Sequence, residues 1–127
     1  MKIKRHIDIE EAIRSALSEY MTTYVRPLPD GFTVPSILIT AVGGSEANTI
    51  SAFDVTVDSR AENEETALTN LRNAVGIIEA IAESQSTALR YVQENAFMSW
   101  GRDPVRQELA MCTARLRVYA HKETTEV

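Results

Sequence analysis

The carboxylates in the middle of the chain are the first residues that could do chemistry. Asp54, Asp58, Glu62, Glu64 and Glu65 lie close together, and oxygen-rich groups of this kind hold hard cations. A calcium loop also needs a glycine at its central sharp turn, and none stands among these acids. They read instead as a solvated strand face followed by acids at a helix start, where the positive end of the dipole favours them. His6 and His121 sit near opposite ends of the sequence, and neither has a second ligand at metal-binding spacing. Cys112 shares an inward strand parity with Ala110 and Ala114, which predicts a buried, inert thiol and not a nucleophile. Gly43-Gly44 would cradle a phosphate only if a helix opened directly after it. A strand-like run follows, so the pair reads as the bend between two strands, supplying unusual φ and close backbone approach. The sequence has no Gly-x-Ser-x-Gly elbow and no full phosphate-loop motif. These readings predict no catalytic residue, no cofactor and no metal.

The elements that would position these residues follow from periodicity. Asp8 to about Met21 carries an apolar stripe of Ile9, Ala12, Ile13, Ala16, Leu17 and Tyr20 at helical spacing. Asp8 is placed to cap its first turn, with Glu11 reaching back. Thr22 to Val25 is β-prone, and Pro27, Pro29 and Asp30-Gly31 mark turns. Ser36 to Gly43 is an aliphatic run that suits a strand covered on both faces. After a polar Gly43–Asn48 link, Thr49 to Asp58 alternates: Phe53, Val55 and Val57 on one side, Asp54, Thr56 and Asp58 on the other. So short a link predicts an antiparallel hairpin. A second helix is expected over about Glu62 to Ala82, lined by Leu68, Leu71, Val75, Ile78 and Ala82, with Ser59 or Asn63 as cap. Ala88 to about Trp100 reads as a strand whose parity switches, which calls for a bulge. Gly101 to Pro104 is a turn, and about Gln107 to His121 is a long closing strand with Arg115, Arg117 and Tyr119 on its outward parity. Residues 122–127 are expected to fray. The order α-β-β-β-α-β-β predicts one α+β domain over 1–127. It is a two-layer sandwich: a mainly antiparallel sheet of four to five strands with two helices packed on one face.

Composition bounds the rest. The chain has 127 residues, 44% hydrophobic and 24% charged, with a formal net charge of −5. That size holds one core, and the charge disfavours broad phosphate-driven nucleic-acid binding. A single cysteine excludes an intramolecular disulfide. The basic start, Lys2 to His6, is followed by acids and not by an apolar run, and no stretch approaches the ~18 apolar residues of a spanning helix. The expectation is a soluble protein made without export.

Three features suit contacts. Trp100 beside the Gly101–Pro104 turn puts a large ring at or near a loop, either exposed for a partner or folded back on the core. Arg115 and Arg117 are either solvated or paired with Asp54 or Asp58, if those strands are neighbours or subunits abut. The strands at Ser36–Gly43 and Gln107–His121 are long and apolar, and whichever forms an edge needs covering.

With "VRPLPDGFTVPSILITAVGG" (Val25 to Gly44), "SAFDVTVDSRAENEETALTNLRNAVGIIEAI" (Ser51 to Ile81) and "SWGRDPVRQELAMCTARLRVYAH" (Ser99 to His121), most of the chain resembles the small tail terminator, or tail completion, proteins of long-tailed bacteriophages and prophages. The resemblance implies a non-enzymatic structural protein of the virion tail or neck, made in the bacterial host cytoplasm. It implies a ring of copies of the chain, six in number, that caps the tail tube, stops its polymerisation and meets the head connector. DNA would pass through the lumen and no membrane would be involved. The unusually basic start departs from the pattern. The contact residues expected are Gly43, Gly44, Ser45 and Glu46 in the link, Trp100 and Arg102 at the turn, and Arg115 and Arg117 on the outward face. The alternatives are another phage neck or head-completion protein, a small-molecule-binding or enzymatic α+β domain, and a host regulatory domain that adds strands edge to edge.

Overall fold

The computed structural model describes residues 1–127, except for the side chain of Ser45. In chain order the elements are β1 (Lys2–Arg5), α1 (Ile9–Leu17), β2 (Thr23–Val25), β3 (Ser36–Ser45), β4 (Ile50–Ala61), α2 (Glu64–Ser84), β5 (Leu89–Arg102), β6 (Ala110–His121) and β7 (Glu123–Glu126). Five strands form one sheet in the order β2-β3-β4-β6-β5. β2 runs parallel to β3 and every other neighbour is antiparallel. The protein is an α+β two-layer sandwich with its two helices on one face, in the expected order.

Period-two alternation decides which side of each central strand is buried. Phe53, Val55 and Val57 of β4 and Cys112, Ala114, Leu116, Val118 and Ala120 of β6 face the helices and join one core with Ile13 and Leu17 of α1 and Leu71, Val75 and Ile78 of α2. Small residues on β6 make room for the large ones on α2, which is how facing layers reach interior density. The helix starts are set by capping. Asp8 Oδ1 accepts the Glu11 N–H at 3.2 Å and Asn63 Oδ1 accepts the Thr66 N–H at 2.8 Å. Glu11 does not reach back to the cap; it pairs with Arg14. Ser59 is no cap either: its buried hydroxyl donates to the Ala67 carbonyl at 2.8 Å, pinning β4 to α2.

Several boundaries differ from expectation. α1 ends at Leu17, whose carbonyl accepts the N–H groups of both Tyr20 and Met21 as the chain turns toward β2. Tyr20, assigned to the core stripe, is therefore exposed. β3 is covered on both faces only over Ser36–Ile39; beyond that Val42 is 64% exposed. Gly43 and Gly44 are not a bend. They are paired in β3 opposite Phe53 and Ala52, and the turn comes later. No glycine among the described residues has a positive φ. Close approach is what Gly43 supplies: a β-carbon there would lie 2.7 Å from the Phe53 Cα and nearer still to the Ala52 carbonyl oxygen. The parity switch in β5 is real, with register shifts between Leu89 and Tyr91, Glu94 and Ala96, and Ala96 and Ser99.

The termini form an element that periodicity did not reveal. Residues 123–126, expected to fray, pair with Lys2–Arg5 in a separate antiparallel ribbon, with Arg5 Nε donating to Glu123 Oε1 at 3.0 Å. Basic and acidic segments at the two ends of the sequence meet here, and only their spatial neighbourhood makes either one a strand.

Candidate functional site

The helix-free face of the sheet gathers most of the residues singled out in the sequence. Register sets Asp54 opposite Arg117, Thr56 opposite Arg115 and Asp58 opposite Thr113. Arg117 Nη1 donates to Asp54 Oδ1 at 3.0 Å, and its Nη2 lies 3.5 Å from Glu46 Oε2. The guanidinium lies over the Tyr119 ring, 5.7 Å from its centre. Glu46 thus joins this group across the hairpin. Arg115 has no ion-pair partner among the described residues, so pairing with the strand acids holds for one of the two arginines. The pair is exposed, and such pairs contribute little to stability. Gly43 and Gly44 serve the β3–β4 pairing. The side chain of Ser45 lies outside the described residues.

Trp100 and Arg102 occupy the end of β5, an outermost strand of the sheet. Trp100 is 42% exposed, and Met98 and Tyr91 on the same strand are exposed as well. β6 is interior; β5 and β2 are the outermost strands, and β3 is open at the edge only beyond its three-residue pairing with β2. The β3 edge beyond its short β2 neighbour is plugged at Ala41. Glu10 Oε2 accepts the Ala41 N–H at 3.0 Å and Arg26 Nη2 donates to the Ala41 carbonyl at 2.6 Å, while Arg26 and Glu10 pair with each other at 2.6 Å. An ion pair that satisfies both backbone groups blocks strand addition there.

At one end of the helix-free face, two loops build a pocket that sequence reasoning missed. Leu28, Pro29, Asp30 and Phe32 come from the loop after β2, and Asp103, Pro104, Val105 and Arg106 from the loop after β5. Leu38 and Arg60 form the strand side, and the volume is about 370 Å³. Arg60 is only 7% exposed and Asp103 only 3%. Arg60 Nε donates to Asp103 Oδ2 at 2.7 Å. Asp103 Oδ1 accepts the N–H groups of Val105 and Arg106 at 2.9 and 2.7 Å. Burial alone would push the Asp103 carboxyl up; the Arg106 N–H, the Arg60 guanidinium and the Val105 N–H together hold it below its ordinary value. Arg60 Nη1 is buried without a hydrogen-bond partner, with Asp58 Oδ2 at 4.0 Å. Two guanidinium groups lie over the Phe32 ring, Arg106 4.7 Å and Arg60 5.9 Å from its centre. Arg60 and Asp103 stand 43 residues apart, and no local pattern announces the pair. The one available signal was an arginine on a strand parity otherwise read as solvated.

The remaining chemistry-bearing residues are dispersed. His6 Nδ1 lies 2.5 Å from Ser51 Oγ, with its ring edge-on to Phe53. Cys112 is buried; burial first and the Asp58 charge second push its thiol up to about 11. Among the described residues no three His, Cys, Asp or Glu side chains converge as a metal site.

Fold and surface together define a two-layer α+β protein whose distinctive groups lie on the open face and rims of its sheet. Comparison of the chain with models of known protein families, and with curated proteins, finds no match. No helix among the described residues is long and apolar enough to cross a membrane.

Proposed function

We propose that this is a structural assembly protein of the tail terminator type, a subunit that joins copies of itself head to tail into a ring on a phage tail tube and meets the head connector on the other side. One observation carries the reading: the two rims of the sheet are unlike. β5 carries exposed aromatic residues, Tyr91 beside Tyr119 on the helix-free face and Trp100 level with Cys112 on the other, whereas β3 beyond β2 carries the exposed Val42 next to the ion pair at Ala41. A contact that closes a ring joins two different surfaces, whereas a two-fold dimer uses the same patch twice. The plug at Ala41 supports the same choice, since it makes the two rims inequivalent. The net charge of −5 suits a lumen through which DNA slides without being held. The resemblance of the sequence to tail terminators supplies the six-fold ring, the tube and the connector.

Sedimentation and electron microscopy of the purified protein over a wide concentration range, with and without tail tubes, test this. Rings of several copies, in solution or capping tube ends, are expected. A chain that stays monomeric, or forms only two-fold dimers, and leaves tube ends bare overturns the proposal.

A further inference from the structure

The loop-built pocket has no assigned occupant, and the same molecule carries a group that matches it. We infer that the pocket receives the Trp100 indole of a neighbouring copy. The inference rests on the ring reading and specifies one of its contacts.

The pocket's chemistry asks for an aromatic group. Its walls are apolar side chains, Leu28, Pro29, Leu38 and Pro104, and its polar floor is already charge-compensated, Arg60 by Asp103. The two guanidinium groups lie within cation–π distance of Phe32, and a second ring entering the pocket would meet the same cations. The carboxylate of Asp30 lines the pocket and makes no hydrogen bond or ion pair among the described residues, so it can accept the indole N–H that a buried tryptophan must satisfy. About 370 Å³ is ample for one indole.

Register supplies the geometry. Across the sheet, Leu38 pairs with Asp58, Asp58 with Thr113 and Thr113 with Ser99; Arg60 pairs with Met111 and Met111 with Gly101. The strand side of the pocket and the Ser99–Gly101 stretch therefore lie at one height along the strands. The loop wall of the pocket begins at Asp103, just after β5, but within one chain the indole is on the wrong face to enter: Trp100 is level with Cys112, whose side chain faces the helices. The pocket opens on the other face. Copies overlapping at their rims like roof tiles, each β5 resting on the open face of the next copy, bring the two together. Val105, 88% exposed at the mouth, would then be covered.

Trp100 is the only tryptophan, so its fluorescence reads the contact directly. On assembly of the full chain, acrylamide quenching of Trp100 should fall at least threefold. W100A and V105E alter exposed positions, and both should raise the concentration needed for assembly at least tenfold. Mixed together, they should form pairs but no rings, because W100A keeps an intact pocket and V105E an intact indole. Assembly with Trp100 as quenchable as in the monomer, or V105E assembling like the parent, overturns this inference and leaves the ring reading standing. Failure of the parent to associate at any concentration, alone or on tubes, overturns the ring reading and this contact with it.

Discussion

Replacing Asp103 with alanine is the sharpest test of how the structure is held at the pocket. The carboxylate accepts Arg60 Nε and two backbone N–H groups. Its removal leaves a guanidinium that is more than nine-tenths buried, with Asp58 at 4.0 Å as its nearest remaining acid. Breaking a buried pair from one side costs about 3–5 kcal/mol, because the stranded charge keeps its desolvation cost. D103A should therefore lose about that much. D103N keeps Oδ1 as acceptor for the two N–H groups but turns the oxygen that accepts Arg60 Nε into an NH2 donor, so it loses the charge and that hydrogen bond and should still cost about 3 kcal/mol, at the low end of the range for D103A. The double variant R60M/D103L removes both charges but also the acceptor of the Val105 and Arg106 N–H groups, so it should recover part of the loss and stay about 1–2 kcal/mol below the parent. The Asp103 carboxyl is held below its ordinary value in the folded protein. Its stabilising contribution is thus present above the unfolded carboxylate range, near pH 4, and is lost as pH falls through the lower folded value. The parent should lose stability on that acid limb, and D103A should lose less of it. Urea unfolding followed by circular dichroism between pH 2 and pH 7, conditions chosen on the order of those limits, measures each term. A D103A variant within about 1 kcal/mol of the parent at neutral pH would refute the buried pair as the tie between β4 and the loop after β5.

Three further outcomes follow from single positions. G43V places a branched side chain where a β-carbon already crowds Phe53 Cα, and should cost about 1–3 kcal/mol, read as a fall in Tm. Cys112, buried with its thiol pushed up to about 11, should resist iodoacetamide in the native protein at pH 8 and react at once in urea; rapid native alkylation would contradict its placement. Glu79 shares a hydrogen bond with Glu94, which together with burial and the charges of Glu94 and Glu83 raises its carboxyl. A raised value stabilises at low pH and is lost as pH rises through it, so E94Q should raise Tm at pH 7 and the gain should shrink toward pH 4.

Alternation in the central strands was legible in the sequence because one face of each is buried and the period of two leaves no choice of side. The stripe of α2 and both helix caps were legible for the same reason, since each depends on residues within a turn or two. Where the reading failed, a partner far along the chain made the decision. Tyr20 fits a helical stripe, but the chain leaves the helix at Leu17 to reach β2. Gly43-Gly44 looks like a bend and is held straight by pairing with β4. Lys2–Arg5 and Glu123–Glu126 have little strand character alone and become strands through each other.

By itself, then, the sequence determined the layers, the order of elements and the faces that must be buried, because hydrophobic periodicity and capping are local properties that the chain carries wherever it goes. Tertiary structure alone decided that β5 and not β6 lies at the rim, that an ion pair plugs β3 at Ala41, and that Arg60 meets Asp103 beneath two loops to leave a pocket. Each of these depends on which distant segments become neighbours, and that is set by closing the whole core at once and not by any single stretch of residues.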